Sequence, residues 1–226
     1  MATHARRQNG FTLVEIIIVL AVISALVAIL TPRFFPYVDD AKQLQAAGDV
    51  RTLAAAIEHM YKDTGRWPFY KDGTGSLAYT PGTDAAILTS NTDCFGDDAA
   101  TCDDNIPDDA TTGDTWDLTT AIADNFTNQL IRNRPFDMAV GAVAYRMTGK
   151  KAWDGPYLDR VPETDPWGKS YLVNIANADP IDEGPTTQNW VLVISSGPNG
   201  ELETSATAIG TSDPTPGGDD ILARVK

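Results

Sequence analysis

Residues 11–30 read FTLVEIIIVLAVISALVAIL, a run in which only Thr12, Glu15 and Ser24 are not apolar. As a helix this run would be about 30 Å long, the thickness of a bilayer's hydrocarbon core. Ahead of it stand His4, Arg6 and Arg7 and no acid. That bias places residues 1–10 in the cytoplasm and the bulk of the chain on the far side of the membrane. A secretory signal peptide fits less well, because its apolar region is only about 7–15 residues long and ends at a small-x-small cleavage site. This run ends in Leu30-Thr31-Pro32-Arg33 instead. Arg6-Arg7 alone is a weak twin-arginine export signal. A plain membrane anchor leaves Glu15 unexplained, since a lone carboxylate in hydrocarbon costs about 2.5–3.5 kcal/mol. Something should therefore compensate it.

Beyond Pro32 and Pro36 a second helical pattern runs from about Tyr37 to Lys62. Val50, Leu53, Ile57 and Met60 recur at three- and four-residue steps beside Ala46, Ala47 and Ala54, which gives one apolar face suited to packing on a sheet. Gly65 supplies a stop before Arg66-Trp67-Pro68. Read as one rod, residues 11–62 span about 78 Å. Pro32 removes a backbone donor whose acceptor would be Ala28, so the rod kinks or unwinds there, or the proline simply marks the membrane's edge.

Charge narrows the partners. The 226 residues carry 31 acids against 17 Lys and Arg, a formal charge of -14. Nucleic acid and anionic lipid need clustered cations, so neither is expected as the main partner. With two cysteines and two histidines, a zinc ribbon or iron-sulfur cluster is excluded, while carboxylate chemistry with hard cations stays open. The acids are concentrated. Asp72 to Ile131 contains no Lys or Arg and twelve aspartates, seven of them from Asp93 to Asp109. The whole stretch reads as an inserted loop, and its seven-aspartate part, which lacks the EF-hand ligand spacing, reads as solvated ahead of the alternative of a second cation site. Leu118, Ile122, Phe126 and Leu130 repeat every four residues and predict a short amphipathic helix over Asp117 to Asn133, stopped by Pro135.

Two turn-rich segments follow, Trp153-Asp154-Gly155-Pro156-Tyr157-Leu158 and Asp165-Pro166-Trp167-Gly168. Apolar runs at Tyr171–Ile175 and Trp190–Ile194, with a weaker one at Ile221–Val225, read as strands. The fold expected is α+β: a long N-terminal helix, half transmembrane and half amphipathic, packed on a small antiparallel sheet. Of the two histidines, His4 precedes the apolar run and His59 sits on the amphipathic helix, and no Ser-His-Asp or Cys-His set assembles around them. An enzyme is not expected.

Arg6-Arg7-Gln8-Asn9-Gly10 followed by Phe11-Thr12-Leu13-Val14-Glu15 resembles the leader of type IV pilins and type II secretion pseudopilins. The helix end from Tyr61-Lys62 to Trp67-Pro68 narrows the resemblance to the major pseudopilins. So do Gly155-Pro156-Tyr157-Leu158, Asp165-Pro166-Trp167-Gly168 and Gly217-Gly218-Asp219-Asp220-Ile221. It covers residues 6–69 and about 117–222, and residues 70–116 depart from it. The resemblance implies a type IV pilin-like fold with a leader, 1–10, a transmembrane helix, 11–36, and a periplasmic domain, 37–226. That domain carries the acidic insertion 70–116 and a calcium-type loop, 195–222. A prepilin peptidase would cut between Gly10 and Phe11 and methylate the new terminus. Glu15 would then neutralise the Phe11 ammonium of a neighbouring subunit.

The partners implied are further copies in a filament, other pseudopilins and an inner-membrane assembly platform. The function implied is a subunit of a periplasmic pseudopilus that helps move folded proteins across the outer membrane. The alternative is a surface type IV pilin for adhesion, motility or DNA uptake. Asp219 and Asp220 beside Gly217-Gly218 offer hard oxygen donors on a flexible loop, which suits calcium. By position in the family, the side chains of Asn199, Asp219 and Asp220 and the main-chain oxygens of Ser196 and Gly217 would coordinate it. Asn199 departs from the family's usual aspartate. In an oxidising periplasm Cys94 and Cys102 are expected to close a short disulfide loop, with two free thiols as the alternative.

Overall fold

The computed structural model describes residues 11–68, 87–91, 106–109, 116, 123–138, 144–175, 191–205 and 215–225. Gly10, Cys94 and Cys102, and with them the expected cleavage junction and disulfide, lie outside these residues. Two units are distinguished, Met1–Ala41 and Lys42–Lys226. Helix α1, Leu13–Thr64, contributes its first part to one and its last part to the other.

Thr12 starts α1, its Oγ1 accepting the Glu15 backbone N–H at 3.2 Å and so capping one of the first turn's free donors. The backbone stays helical through Pro32 and Pro36, so of the alternatives open at Pro32 unwinding does not occur. Gly65 ends the helix in the left-handed region at φ 68, a conformation that costs glycine little. Its N–H still reaches the Tyr61 carbonyl at 2.7 Å. Lys151 donates to the Lys62 carbonyl at 3.3 Å, placing a cation at the negative end of the helix dipole.

In the second unit five strands form one sheet in the order β3-β1-β4-β5-β7. They are β1 (Ile87–Thr89), β3 (Ala123–Asn125), β4 (Leu172–Asn174), β5 (Val191–Ser195) and β7 (Ile221–Val225). The pairings of β4 with β1 and β5 and of β5 with β7 are antiparallel, as expected. The β1–β3 pair is parallel, so the sheet is mixed at that edge. A separate two-stranded parallel ribbon joins β2 (Asp108–Asp109) to β6 (Glu201–Leu202).

Successive strand residues point to opposite faces, and both faces of this sheet are covered. Tyr171, Val173, Ile175, Val191, Val193 and Val225 share a core with Val50, Leu53, Ile57 and Met60 of α1. The stripe read from the sequence is thus the buried one. The intervening residues Leu172 and Ile194 face a second core, built with Ile87, Trp116, Ala123 and Leu202. All five residues of β5 are buried for this reason.

Two expectations are corrected. The inserted stretch is not loop throughout: Ile87, Leu88 and Thr89 are sheet residues with no exposure, and Trp116 is buried. Apolar side chains from the acidic stretch go inward while Asp108 stays exposed. Nor is 117–133 one amphipathic helix. Ala123–Asn125 is a strand, and only a π-helical turn at Thr127–Ile131 follows it. Asn125 Oδ1 accepts the Asn128 N–H at 2.9 Å, and Asp124 Oδ1 accepts from the Asn125 N–H and Asn128 Nδ2 at 2.8 Å. Asp and Asn here start a turn instead of continuing a helix.

Candidate functional site

The N-terminal segment presents its chemistry without cover. Every residue from Phe11 to Thr31 is exposed, and Leu13–Thr31 is long and apolar enough to cross a membrane. A helix apolar all round is stable only in lipid or among other apolar helices. Glu15 lies in its first turn, three residues after the capping Thr12. Among the described residues it has no charged partner.

In the second unit Asn199 meets Asp219 and Gly217 meets Asp220, while Ser196 stands one residue before Gly197, which lies against the Asp219 carbonyl. Asp165, buried at the Pro166-Trp167-Gly168 turn, sets the start of the loop. Its Oδ1 accepts the N–H groups of Trp167 and Lys169 at 3.0 and 2.9 Å, and its Oδ2 accepts the Ser195 hydroxyl at 2.7 Å. The chain then turns through Gly197 at φ 67, where any Cβ would stand 2.3 Å from the Asp219 carbonyl. That contact admits only glycine. Asn199 donates its N–H to Asp219 Oδ2 at 3.2 Å and accepts the Glu201 N–H on its own Oδ1 at 2.8 Å.

Asp220 is the buried centre of the loop. Its Oδ2 accepts the N–H groups of Glu203 and Thr204 at 2.9 and 2.6 Å, and its own N–H donates to the Gly217 carbonyl at 3.0 Å. Burial pushes its carboxyl pKa up, against the lowering effect of the hydrogen bonds from Thr204 and the Glu203 backbone. The nearby Glu203 charge raises it further. Sequence reasoning missed Glu203. Its carboxylate receives Asn199 Nδ2 at 3.2 Å and the Asp219 N–H at 3.3 Å, and packs where a side chain on Gly218 would be.

The residues fit a hard cation on one specific ground. Asp219 Oδ1 and Asp220 Oδ1 are both buried without a hydrogen-bond partner. Orphaned carboxylate oxygens are costly unless a positive charge meets them. Among the described residues no group of three or more His, Cys, Asp and Glu converges on one point. Two carboxylates supplemented by carbonyl and amide oxygens are what the loop offers. His59 lies apart, exposed on α1 in a shallow groove with Arg51, Tyr157 and Leu158.

Known proteins meet this chain at its N-terminus, where a family pattern described as the prokaryotic N-terminal methylation motif matches residues 5–31. The chain carries that motif. Its relatives extend the match. The type II secretion system core protein G of Pseudomonas aeruginosa is 38% identical over 77 residues, 34% of this chain and 54% of that protein. The protein of the same name from Dickeya chrysanthemi is 34% identical over 34% of this chain and 51% of its own length. The type IV major pilin protein PilA of Myxococcus xanthus is 32% identical over 33% of each chain. This chain spans about half the length of the core G proteins it matches. No solved structure matches it. The resemblance read from Arg6 to Glu15 is therefore shown over the N-terminal part.

Proposed function

We propose that this protein is a structural subunit of a type II secretion pseudopilus, a periplasmic filament that helps move folded proteins across the outer membrane. The observation that carries the reading is the methylation motif on an exposed apolar helix, in a chain whose N-terminal part is similar to core protein G. In this reading a prepilin peptidase cuts Gly10-Phe11 and the subunit waits in the inner membrane with residues 37–226 outside. Apolar helices of successive copies then pack head to tail. Such a heterologous, non-closing contact generates a helical filament. Glu15 meets the Phe11 ammonium of the neighbour, so that neither charge is left alone in an apolar setting. An assembly platform and other pseudopilins guide the polymer, a separate ATPase does the work, and this chain needs no catalytic step. Cys94 and Cys102 pair as a disulfide in the oxidising compartment.

The C-terminal loop holds calcium in the same reading. Asp219 and Asp220 would supply charged oxygens, Asn199 a neutral one, and Ser196 and Gly217 their carbonyls. The cation supplies positive charge against the two carboxylates and ties the chain's end to the end of β5. Thermal unfolding of the full chain in detergent tests it. Calcium should raise the midpoint over chelator, and an unchanged midpoint with no calorimetric binding at millimolar calcium rejects the site.

The similarity to PilA and to the fimbrial protein EcpC of Eikenella corrodens supports a second reading, a surface pilin. Deleting the gene in its host separates the two. Secreted enzymes held in the periplasm support the pseudopilus, whereas normal secretion with loss of surface fibres supports the pilin.

A further inference from the structure

The acidic insertion has no counterpart in the resemblance, yet Asp108, Asp109 and Trp116 of it meet the segment 200–204 beside the C-terminal loop. Asp108 donates its N–H to the Gly200 carbonyl at 3.1 Å, opening the parallel β2–β6 pairing. Lys169, set by the Asp165 turn, donates Nζ to the Ile106 carbonyl at 3.0 Å. Trp116 is 2% exposed, packs with Ile87, Leu172, Ile194 and Leu202, and donates its indole N–H to the Thr204 carbonyl at 2.8 Å. Thr204 then donates its own N–H to Asp220 Oδ2, while its hydroxyl accepts the Gly217 N–H at 2.9 Å. One residue, Thr204, therefore links the insertion's tryptophan to both Gly217 and Asp220.

We infer that the insertion is a brace for the C-terminal loop, and that Trp116 is the positioning residue which, through Thr204, fixes Asp220. The indole does two things. It fills the second core beneath β6, and it satisfies a buried carbonyl that would otherwise have to turn away. Thr204 in one orientation aims its N–H and hydroxyl at the two ends of the Gly217–Asp220 segment. The loop's geometry thus depends on residues more than eighty positions upstream in sequence. Where the inference concerns calcium, it rests on the cation reading above.

The test compares full-length wild type with Trp116→Phe in detergent, well below the unfolding temperature. Phe keeps most of the packing and removes the N–H. In metal-free protein, the backbone amides of Glu203 and Thr204 should exchange about tenfold faster in Trp116→Phe, as expected for losing one buried hydrogen bond. The amides of β4 should be unchanged. Calcium binding, measured by calorimetry, should weaken about fivefold. A role in packing alone would lower the unfolding temperature without moving either readout, and that result overturns the inference. If wild type binds no calcium the cation reading falls, and the exchange comparison still decides the brace. Should Trp116→Phe fail to fold, Lys169→Met, which removes the bond to Ile106 from outside the second core, must accelerate the same two amides. Unchanged exchange there overturns the brace equally.

Discussion

The hydroxyl of Tyr171 donates a hydrogen bond of 2.9 Å to the carboxylate of Asp49, joining the start of β4 to the amphipathic part of α1. Tyr171 is fully buried, and burial, followed by the Asp49 bond and charge, raises its pKa well above the ordinary value. Tyr157 is pushed up to about 12, again chiefly by burial. Both phenols hold their protons to higher pH in the fold than in the unfolded chain. Below pH 10.0, the ordinary tyrosine value, their contribution is fully present. It is lost as pH rises from there through the folded values, because the unfolded chain releases protons first. Denaturant midpoints should fall between pH 10 and 12. Tyr171→Phe should cost about 1 kcal/mol at neutral pH and make that alkaline decline shallower. An equally steep decline in the variant contradicts the assignment.

Asp124 has no solvent exposure and gathers donors from Asn125, Asn128 and Gln129. Gln129 passes the network on to the Tyr145 hydroxyl through its Oε1 at 2.6 Å. Asp124→Ala strands these donors in the core and should cost about 2–4 kcal/mol by urea denaturation. A loss below about 0.5 kcal/mol, the size of an ordinary surface change, would show that the network carries no weight.

Gly155 and Gly48 make a matched pair. A Cβ on Gly155 would stand 2.5 Å from the Trp153 ring, which itself meets Tyr157 edge-on at 5.5 Å. A Cβ on Gly48, in α1, would meet nothing within 4 Å. Gly155→Ala should destabilise by about 1–3 kcal/mol through overpacking. Gly48→Ala should stabilise by about 0.5–1 kcal/mol through helix propensity. Equal effects from both would refute the packing argument.

Much of the second unit was legible because short-range pattern and burial agree there. Val50, Leu53, Ile57 and Met60 repeat at helical spacing and all lie in the core, and Gly65 stops the helix where its φ demands. The strands at 172–174 and 221–225 fall within the apolar runs, and that at 191–195 overruns its apolar run by one residue, Ser195. The segment around Asp124 misled because Phe126 and Leu130, four apart, are buried in the π-helical turn as they would be in a full helix. What overrode the pattern was pairing with β1, a partner three residues long in an otherwise polar stretch. Trp116 did carry a signal, as a large aromatic among aspartates and threonines, but its partner Thr204 is set by tertiary contact. Ser196, Asn199, Gly217, Asp219 and Asp220 were named by their position in the resemblance, which does not include Glu203.

Glu15 sits far along the chain from every core residue, the first of which is Ala46. Glu15→Ala should therefore leave insertion and the fold of the second unit intact. Assembly should suffer, because the neighbour's Phe11 ammonium loses its partner. Sheared or cross-linked filaments counted from the variant should fall to a small fraction of wild type. A normal yield would mean that the carboxylate has some other role.

The most direct measurement is the mass of the N-terminal peptide of protein extracted from its own membrane. If the protein is the proposed pseudopilus subunit, the peptide should begin at Phe11 and carry one methyl group on its amine. A chain that keeps Met1, or one cut near Thr31, contradicts the account.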